Sequence, residues 1–382
     1  MNETELKNME YSAIRFSGTI TGNTVKELMA KGIISSHLDL TGEGFEKLYK
    51  DRDSLELTNG ARAKIEQMYE ARGKIEELKR TYIETAEEND ISVISCEDDD
   101  YPFVWRNLTG MPKVFFIRGN RNLLRECYLR GAAGVVGSRH PGKYALYATE
   151  DFVREFSKEG IVTVSGMALG IDRKAHESSL DNYGKTIAIL AGGPDNVYPP
   201  DNQDLYERLC DKGLILSEMP PGQQAVKQYF PSRNRLISAL SDVCLVMQAG
   251  QFSGTLHTAS FAASQGKDVF VLPNNIYSAD CLGGLYLLRD GAEVLIDPFT
   301  VIDRIRNETM NRKLLAGDEI DDESTWKKMI CDELSARPMT ADDLSTMIPI
   351  PFSFLTSLLT DLELDRKIEE DRGKYVLTIG GH

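Results

Sequence analysis

Between residues 134 and 296 short apolar runs alternate with stretches in which apolar side chains return every three or four positions. The runs fall at 134–136, 161–164, 186–190, 214–217, 243–247, 268–272 and 293–296 and predict strands. The helix-spaced stretches are 143–158, 172–181, 202–211, 233–240, 255–265 and 283–289. In the first of them Tyr144, Ala148, Phe152 and Phe156 share one line, with Ala145 and Val153 beside it, as a 3.6-residue period requires. The runs IAIL, CLVM and VFVL carry no polar alternation, so those strands should be covered on both faces. Strand–helix alternation of this kind implies an α/β domain: a mainly parallel sheet with helices on both faces. The periodicity does not give the strand order.

The flanks differ. Residues 1–88 read as a small helical domain, with helical spacing at Thr24–Ala30, Gly44–Lys50 and Ala61–Thr81. In 89–120 the runs ISVIS and Val114–Ile117 predict strands that edge or extend the main sheet, so the central domain is taken as 89–300. Residues 301–322 form a charged linker. In 323–382 three helical stretches (324–334, 341–347 and 352–364) precede two β runs, around 366–369 and 374–378, on either side of Asp371-Arg372-Gly373. Helix, helix, helix, hairpin is the order of a winged helix.

Composition narrows the function classes. No apolar run reaches membrane-spanning length and the start, MNETELKNME, is polar, so the chain is expected in the cytoplasm without membrane contact. The six cysteines have no CxxC spacing and read as reduced thiols, with no metal site expected. A net charge of −15 excludes a generally basic nucleic-acid binder but not a local basic groove. HExxH and GxxxxGK[ST] are both absent, and no catalytic residue or cofactor is expected.

The candidate chemistry sits at the ends of the strands, where α/β sheets bind ligands. Gly137-Ser138-Arg139, with Lys143 beyond, follows the first run, and Ser165-Gly166 follows the second. Further loops carry Gly192-Gly193, then Lys227, Phe230, Arg233, Asn234 and Arg235, then Ser253-Gly254-Thr255. Glycine lets backbone N–H groups approach a phosphate. Together the loops would gather Arg139, Lys143, Arg173, Lys174, Lys227, Arg233 and Arg235 among Tyr198, Tyr229, Phe230 and Phe252. Cations tracking a backbone, interleaved with aromatic faces, hold single strands without reading sequence. Asp172 and His176 share a helix face, and the reading preferred to acid–base chemistry is that Asp172 supports the glycine turn with His176 packed against it.

Several ordered blocks resemble the DNA-processing protein A family (DprA, also called Smf): VGSRHPGKYA, VSGMALGID, TIAILAGGPDNVYPPDN, FPSRNRLISALSD, SGTLHTA and GGLYLLRDGAEVL. The resemblance runs from about Asp90 to Ile296 and continues more weakly to the C-terminal end. It implies an extended Rossmann-like fold that binds and protects single-stranded DNA, acts as a homodimer and helps load the RecA recombinase, chiefly in natural transformation. The family's DNA pocket falls on Arg139, Ser165-Gly166, Lys227, Phe230, Arg233 and Asn234; Arg139 and Arg233 should touch phosphate and Phe230 should stack on a base. The sequence departs from the family pattern at Gln248-Ala249, where Glu-Ala is usual.

Two rival readings are a nucleotide-binding module whose glycine loops hold a small phosphate ligand, and a nucleotide-processing Rossmann protein that releases a base, the latter being the main enzyme alternative. Such enzymes use a PGGxGT turn with a glutamate after it, whereas here QFSGTLHTA has none in the following helix. In the winged-helix region the candidate recognition helix, PFSFLTSLLTDLEL, has no Lys or Arg and holds Asp361 and Glu363. It should contact protein rather than DNA, through some of Phe352, Phe354, Leu355, Leu358, Leu359 and Leu362.

Overall fold

The computed structural model describes residues 1–316, 323–348, 352–371 and 373–378. They divide into two compact units, Met1–Thr309 and Met310–His382. The first unit is built on nine strands: β1 (Ile91–Ser95), β2 (Val114–Gly119), β3 (Ala132–Gly137), β4 (Val162–Ser165), β5 (Lys185–Leu190), β6 (Leu214–Ser217), β7 (Val243–Gln248), β8 (Asp268–Val271) and β9 (Glu293–Val294). They lie in the order β1-β2-β6-β5-β4-β3-β7-β8-β9. All neighbours pair in parallel except β1 with β2 and β2 with β6. The fold is the expected α/β, Rossmann-like one, with β1 and β2 extending the sheet.

Alternate residues of each strand enter opposite cores, as a two-residue period demands. Val136, Cys244 and Val246 join Trp105, Phe115, Leu236 and Leu240 on one face. Val135, Leu245 and Met247 join Phe152, Phe156 and Ile302 on the other. Burying both faces is why these strands read as unbroken apolar runs.

The winding positions the site. From β3 the chain adds β4, β5 and β6 on one side, then crosses back to place β7, β8 and β9 on the other. The direction of winding therefore reverses between β3 and β7. Their flanking loops diverge at the carboxyl ends, leaving a crevice.

Four helices differ from the periodicity. A helix at Glu3–Phe16 was not expected; Asn2 starts it with a capping box, accepting the Glu5 N–H at 2.9 Å while Glu5 accepts the Asn2 N–H. A helix at Asn122–Arg130 precedes β3. The stretch read as one helix over 61–81 is two, Asn59–Glu70 and Arg72–Glu88, broken at Ala71. The helix expected at 233–240 begins at Tyr229. Its first turn accepts Pro231 because N–H groups there have no helical partner to lose.

The N-terminal helices share a core (Met9, Ile14, Leu28, Ile65, Met68) that continues onto Val93, Val114 and Phe116 of β1 and β2. At the other end, the helix Pro298–Ala316 runs into the stretch read as a linker. Its Val301, Ile302 and Ile305 are buried in the sheet's second core, so that core extends past residue 300. Residues 317–322 of that stretch lie outside the described residues.

The second unit contains helices Glu323–Ala336, Ala341–Met347 and Phe352–Leu364 and an antiparallel pair, β10 (Ile368–Asp371) and β11 (Lys374–Leu377). Leu355, Leu358, Leu359 and Leu362 are all buried in this unit's own core. The apolar excess expected on the third helix is thereby largely used, leaving Phe352 and Leu364 exposed. The side chain of Phe354, and Arg372 in the wing, lie outside the described residues.

Candidate nucleic-acid interface

Three loops and one helix end meet at the reversal point. A cavity of about 420 Å³ opens there, lined among others by Gly137, Arg139, Asp172, Phe230, Asn234 and Thr255. Close backbone approach holds it together. Ile171 N–H donates to Ser138 O at 3.1 Å, and a Cβ on Gly170, whose φ is +78°, would lie 2.3 Å from that oxygen. A Cβ on Gly137 would lie 2.5 Å from the Ile171 side chain. Only glycine fits these positions. From the β7 side, Thr255 Oγ1 donates to Gly137 O at 3.0 Å. The Gly142 N–H donates to Gln248 Oε1 at 2.9 Å, so Gln248 fixes the start of the helix Lys143–Lys158.

The floor holds two buried charges, Asp172 and Arg233, which act on each other through space without a direct ion pair. Asp172 accepts the Gly166 N–H at 3.2 Å and the Ala168 N–H at 3.4 Å, which is the turn support expected of it. Arg233 is 6% exposed, and its Nη1 donates to Gly166 O and to Ile189 O, both at 2.5 Å. A Cβ on Gly166 would collide with that guanidinium at 2.0 Å. Burial pulls the Arg233 pKa down to about 10, against the pull of Asp172, so it stays protonated at neutral pH. Burial raises the Asp172 pKa, opposed by Arg233 and the two backbone N–H donors. Hydrogen bonds to the backbone, and the attraction between the two charges, offset the cost of burying them. His176 lies nearby but bonds Thr186 Oγ1, at 2.7 Å, not Asp172. Burial, helped by the Arg233 charge, drives its pKa to about 3, which leaves a neutral ring and no acid–base pair.

The rim is built differently. The Arg139 guanidinium is exposed and lies 5.6 Å from the centre of the Phe230 ring. Phe230 packs edge-on against Tyr198, centroids 5.5 Å apart. Lys143, at the start of its helix, and Lys227, before the helix Tyr229–Leu240, are also exposed. None of these three cations has an ion-pair partner among the described residues.

The expected residues thus separate by environment. Gly137, Arg139, Phe230, Arg233 and Asn234 line the cavity. Arg139 and Arg233, expected to play the same part, are unlike: one guanidinium is free and the other is spent on two carbonyls. Ser165 is fully buried and donates to Val135 O at 2.6 Å, so its hydroxyl belongs to the sheet. Ser138 accepts the His140 N–H and shapes its loop. Asn234 spans from the Arg233 Nε to Gly254 O. Arg235 points elsewhere, pairing at 2.5 Å with buried Glu218, which also takes Arg15 of the first helix at 2.5 Å. Arg173 and Lys174 are neutralised by Glu177 and Asp204 and by Glu150. Phe252 is 94% exposed, outside the Tyr198–Phe230 contact. Thr255 lies in a candidate loop and Gln248 at a departure from the family pattern, but their role in tying the loops together is visible only in the structure; the signal for Gln248 is a polar residue closing an otherwise apolar strand.

Residues 92–306 match the family of DNA recombination-mediator protein A, more than half of the chain. The chain belongs to that family. It is 34% identical over 242 residues to protein Smf of a Synechocystis species, a match spanning 62% of this chain and 61% of that protein. Its fold superposes on the X-ray structure of DNA processing protein A from Streptococcus pneumoniae with a TM-score of 0.65 and 30% identity, covering 78% of this chain and 98% of that one. With DNA processing protein A from Helicobacter pylori, whose structure concerns that protein's single-stranded DNA binding mode, the TM-score is 0.51 and the identity 31%, over 57% and 96% of the two chains. Family membership covers the reversal-point crevice, with Arg139, Phe230 and Arg233 all inside the matched residues. Among the described residues, no helix is long and apolar enough to cross a membrane.

Proposed function

We propose that the chain binds single-stranded DNA in the crevice between the β3 and β7 loops. The observation that carries this reading is the exposed Arg139 beside the Phe230 ring at the winding reversal. A cation free of carboxylates can take a phosphate, and an aromatic ring can take a base. Lys143 and Lys227 extend the positive rim, and the buried Asp172 and Arg233 set the floor. With about three unpaired cations reaching phosphates, log K should fall with log salt with a slope of about −2 per chain. The acidic remainder of the molecule confines the strand to this edge.

In this reading the chain is a binding protein of the cytoplasm, not an enzyme. It shields incoming single strands, works as a homodimer and passes the strand to the RecA recombinase, as its family resemblance implies. Support for a non-catalytic role comes from the cavity lining: among the described residues its one carboxylate is Asp172, held by two backbone N–H groups and facing Arg233. The helix Thr255–Ser264 supplies no acid that could assist release of a base.

The test is a fluorescence titration with single- and double-stranded oligonucleotides at two salt concentrations, with a mononucleotide as competitor. Single-strand preference with a clear salt slope supports the reading. Equal affinity for duplex, or full displacement by mononucleotide at matched concentration, refutes it.

A further inference from the structure

The helix Lys143–Lys158 leaves two tyrosines in solvent beside the crevice. Tyr144 is 54% and Tyr147 66% exposed, one turn apart; Tyr144, expected on the apolar line of Phe152 and Phe156, stands at its exposed end, while Ala145, Phe152, Val153 and Phe156 are buried. Tyr147 lines a second cavity of about 410 Å³ together with Pro141, Lys143, Leu146 and Gly170. Gly170 of this lining lies against the loop that carries Arg139 of the first cavity, and a Cβ on it would lie 2.7 Å from Arg139 O.

The charges there are sorted as they are in the crevice. Arg173 is paired with Glu177 at 2.8 Å and Lys174 with Glu150 at 2.6 Å. Lys143 alone among the cations of this lining has no acidic partner among the described residues. Two exposed aromatic faces, one free cation and a shared wall with the Arg139 loop form a continuation of the same kind of surface. Bases stack on any accessible aromatic face, whatever their identity.

We propose that a single strand leaving the Arg139–Phe230 crevice continues across the start of this helix, stacking bases on Tyr144 and Tyr147 and setting a phosphate on Lys143. The inference rests on the single-strand reading above and adds a second subsite to it. The first subsite holds short strands, and the second is reached only by longer ones.

Length dependence separates the two. The full chain is titrated with oligothymidylates of about four and about twelve nucleotides, within the range of known single-strand site sizes. Tyr144→Ala/Tyr147→Ala should weaken the longer oligonucleotide about tenfold, leave the shorter within about twofold and keep the salt slope. Tyr144→Phe/Tyr147→Phe should restore the longer one, because the ring and not the hydroxyl is used. Arg139→Ala should weaken both lengths. If the double alanine variant binds the longer strand as the unaltered chain does, while Arg139→Ala weakens both, the second subsite is wrong and the crevice stands. If the double variant weakens both lengths equally, the tyrosines do not form a separate subsite. If Arg139→Ala changes neither length, the crevice reading itself fails and takes this one with it.

Discussion

Arg233 and Arg139 lie in one cavity yet should respond to substitution in opposite ways. Arg233→Met keeps most of the side-chain volume and removes the charge. It would leave Asp172 buried without its counter-charge and the carbonyls of Gly166 and Ile189 without their donor. Each buried acceptor left without its donor costs about 1–3 kcal/mol, so the two carbonyls together are a large part of the roughly 5–15 kcal/mol that holds a domain folded. Urea unfolding should therefore show a loss of about 4 kcal/mol for Arg233→Met, from two unsatisfied carbonyls. Adding Asp172→Asn should recover about 1–3 kcal/mol, as coupled neighbours do. Arg139→Ala, at an exposed position with no ion pair, should change stability by about 0.5 kcal/mol or less. In DNA titrations the order reverses: Arg139→Ala should make the salt slope shallower by about 0.7, one phosphate contact on a single strand. Arg233→Met, measured where it is folded, should keep the slope. The reasoning fails if Arg233→Met unfolds like the unaltered chain, or if it flattens the slope as much as Arg139→Ala does.

Three more outcomes follow from the geometry. Phe230→Ala should cost roughly 1–3 kcal/mol of single-strand affinity with little change in salt slope, since it removes a stacking face and no charge; a slope flattened as much as by Arg139→Ala would contradict this. His37 and His176 are buried neutral, with pKa values lowered from 6.5 to about 4 and about 3, mainly by burial. Because the unfolded chain binds those protons first, stability should fall as pH drops below about 6.5, by roughly 2 kcal/mol per histidine at pH near 5; equal unfolding free energies at pH near 7.5 and near 5 would refute it. A chain ending at Thr309 should keep single-strand affinity within about threefold, roughly 0.65 kcal/mol, whereas a cut at residue 296 would remove Val301, Ile302 and Ile305 from the second core. A tenfold loss in the folded, shortened chain would show that the second unit binds DNA.

Much of this architecture could be read from residue order alone. Burial of a strand on two faces demands an unbroken apolar run, so the strands from β3 to β7 could be recognised from such runs. Helical spacing gave the helices between them, and ordered blocks such as FPSRNR and SGMALGID gave the family. The glycines at 137, 166 and 170 were equally visible as tight turns. What each glycine makes room for was not: the Ile171 side chain, the Arg233 guanidinium and the Ser138 carbonyl lie elsewhere in the chain.

The sorting of the cations belongs wholly to tertiary structure. Arg139, Arg233 and Arg235 are the same residue type, and each lies within one or two residues of a serine or another arginine in the sequence. An arginine's role depends on which acids and carbonyls the fold brings to it. Arg233 meets a carbonyl 67 residues away, and Glu218, which takes Arg235, also draws Arg15 from 203 residues away. Local periodicity reports which way a residue faces along its own element. It says nothing of partners assembled by strand order, and the order that reverses between β3 and β7 is what leaves Arg139 free at the mouth of the crevice and Arg233 spent beneath it.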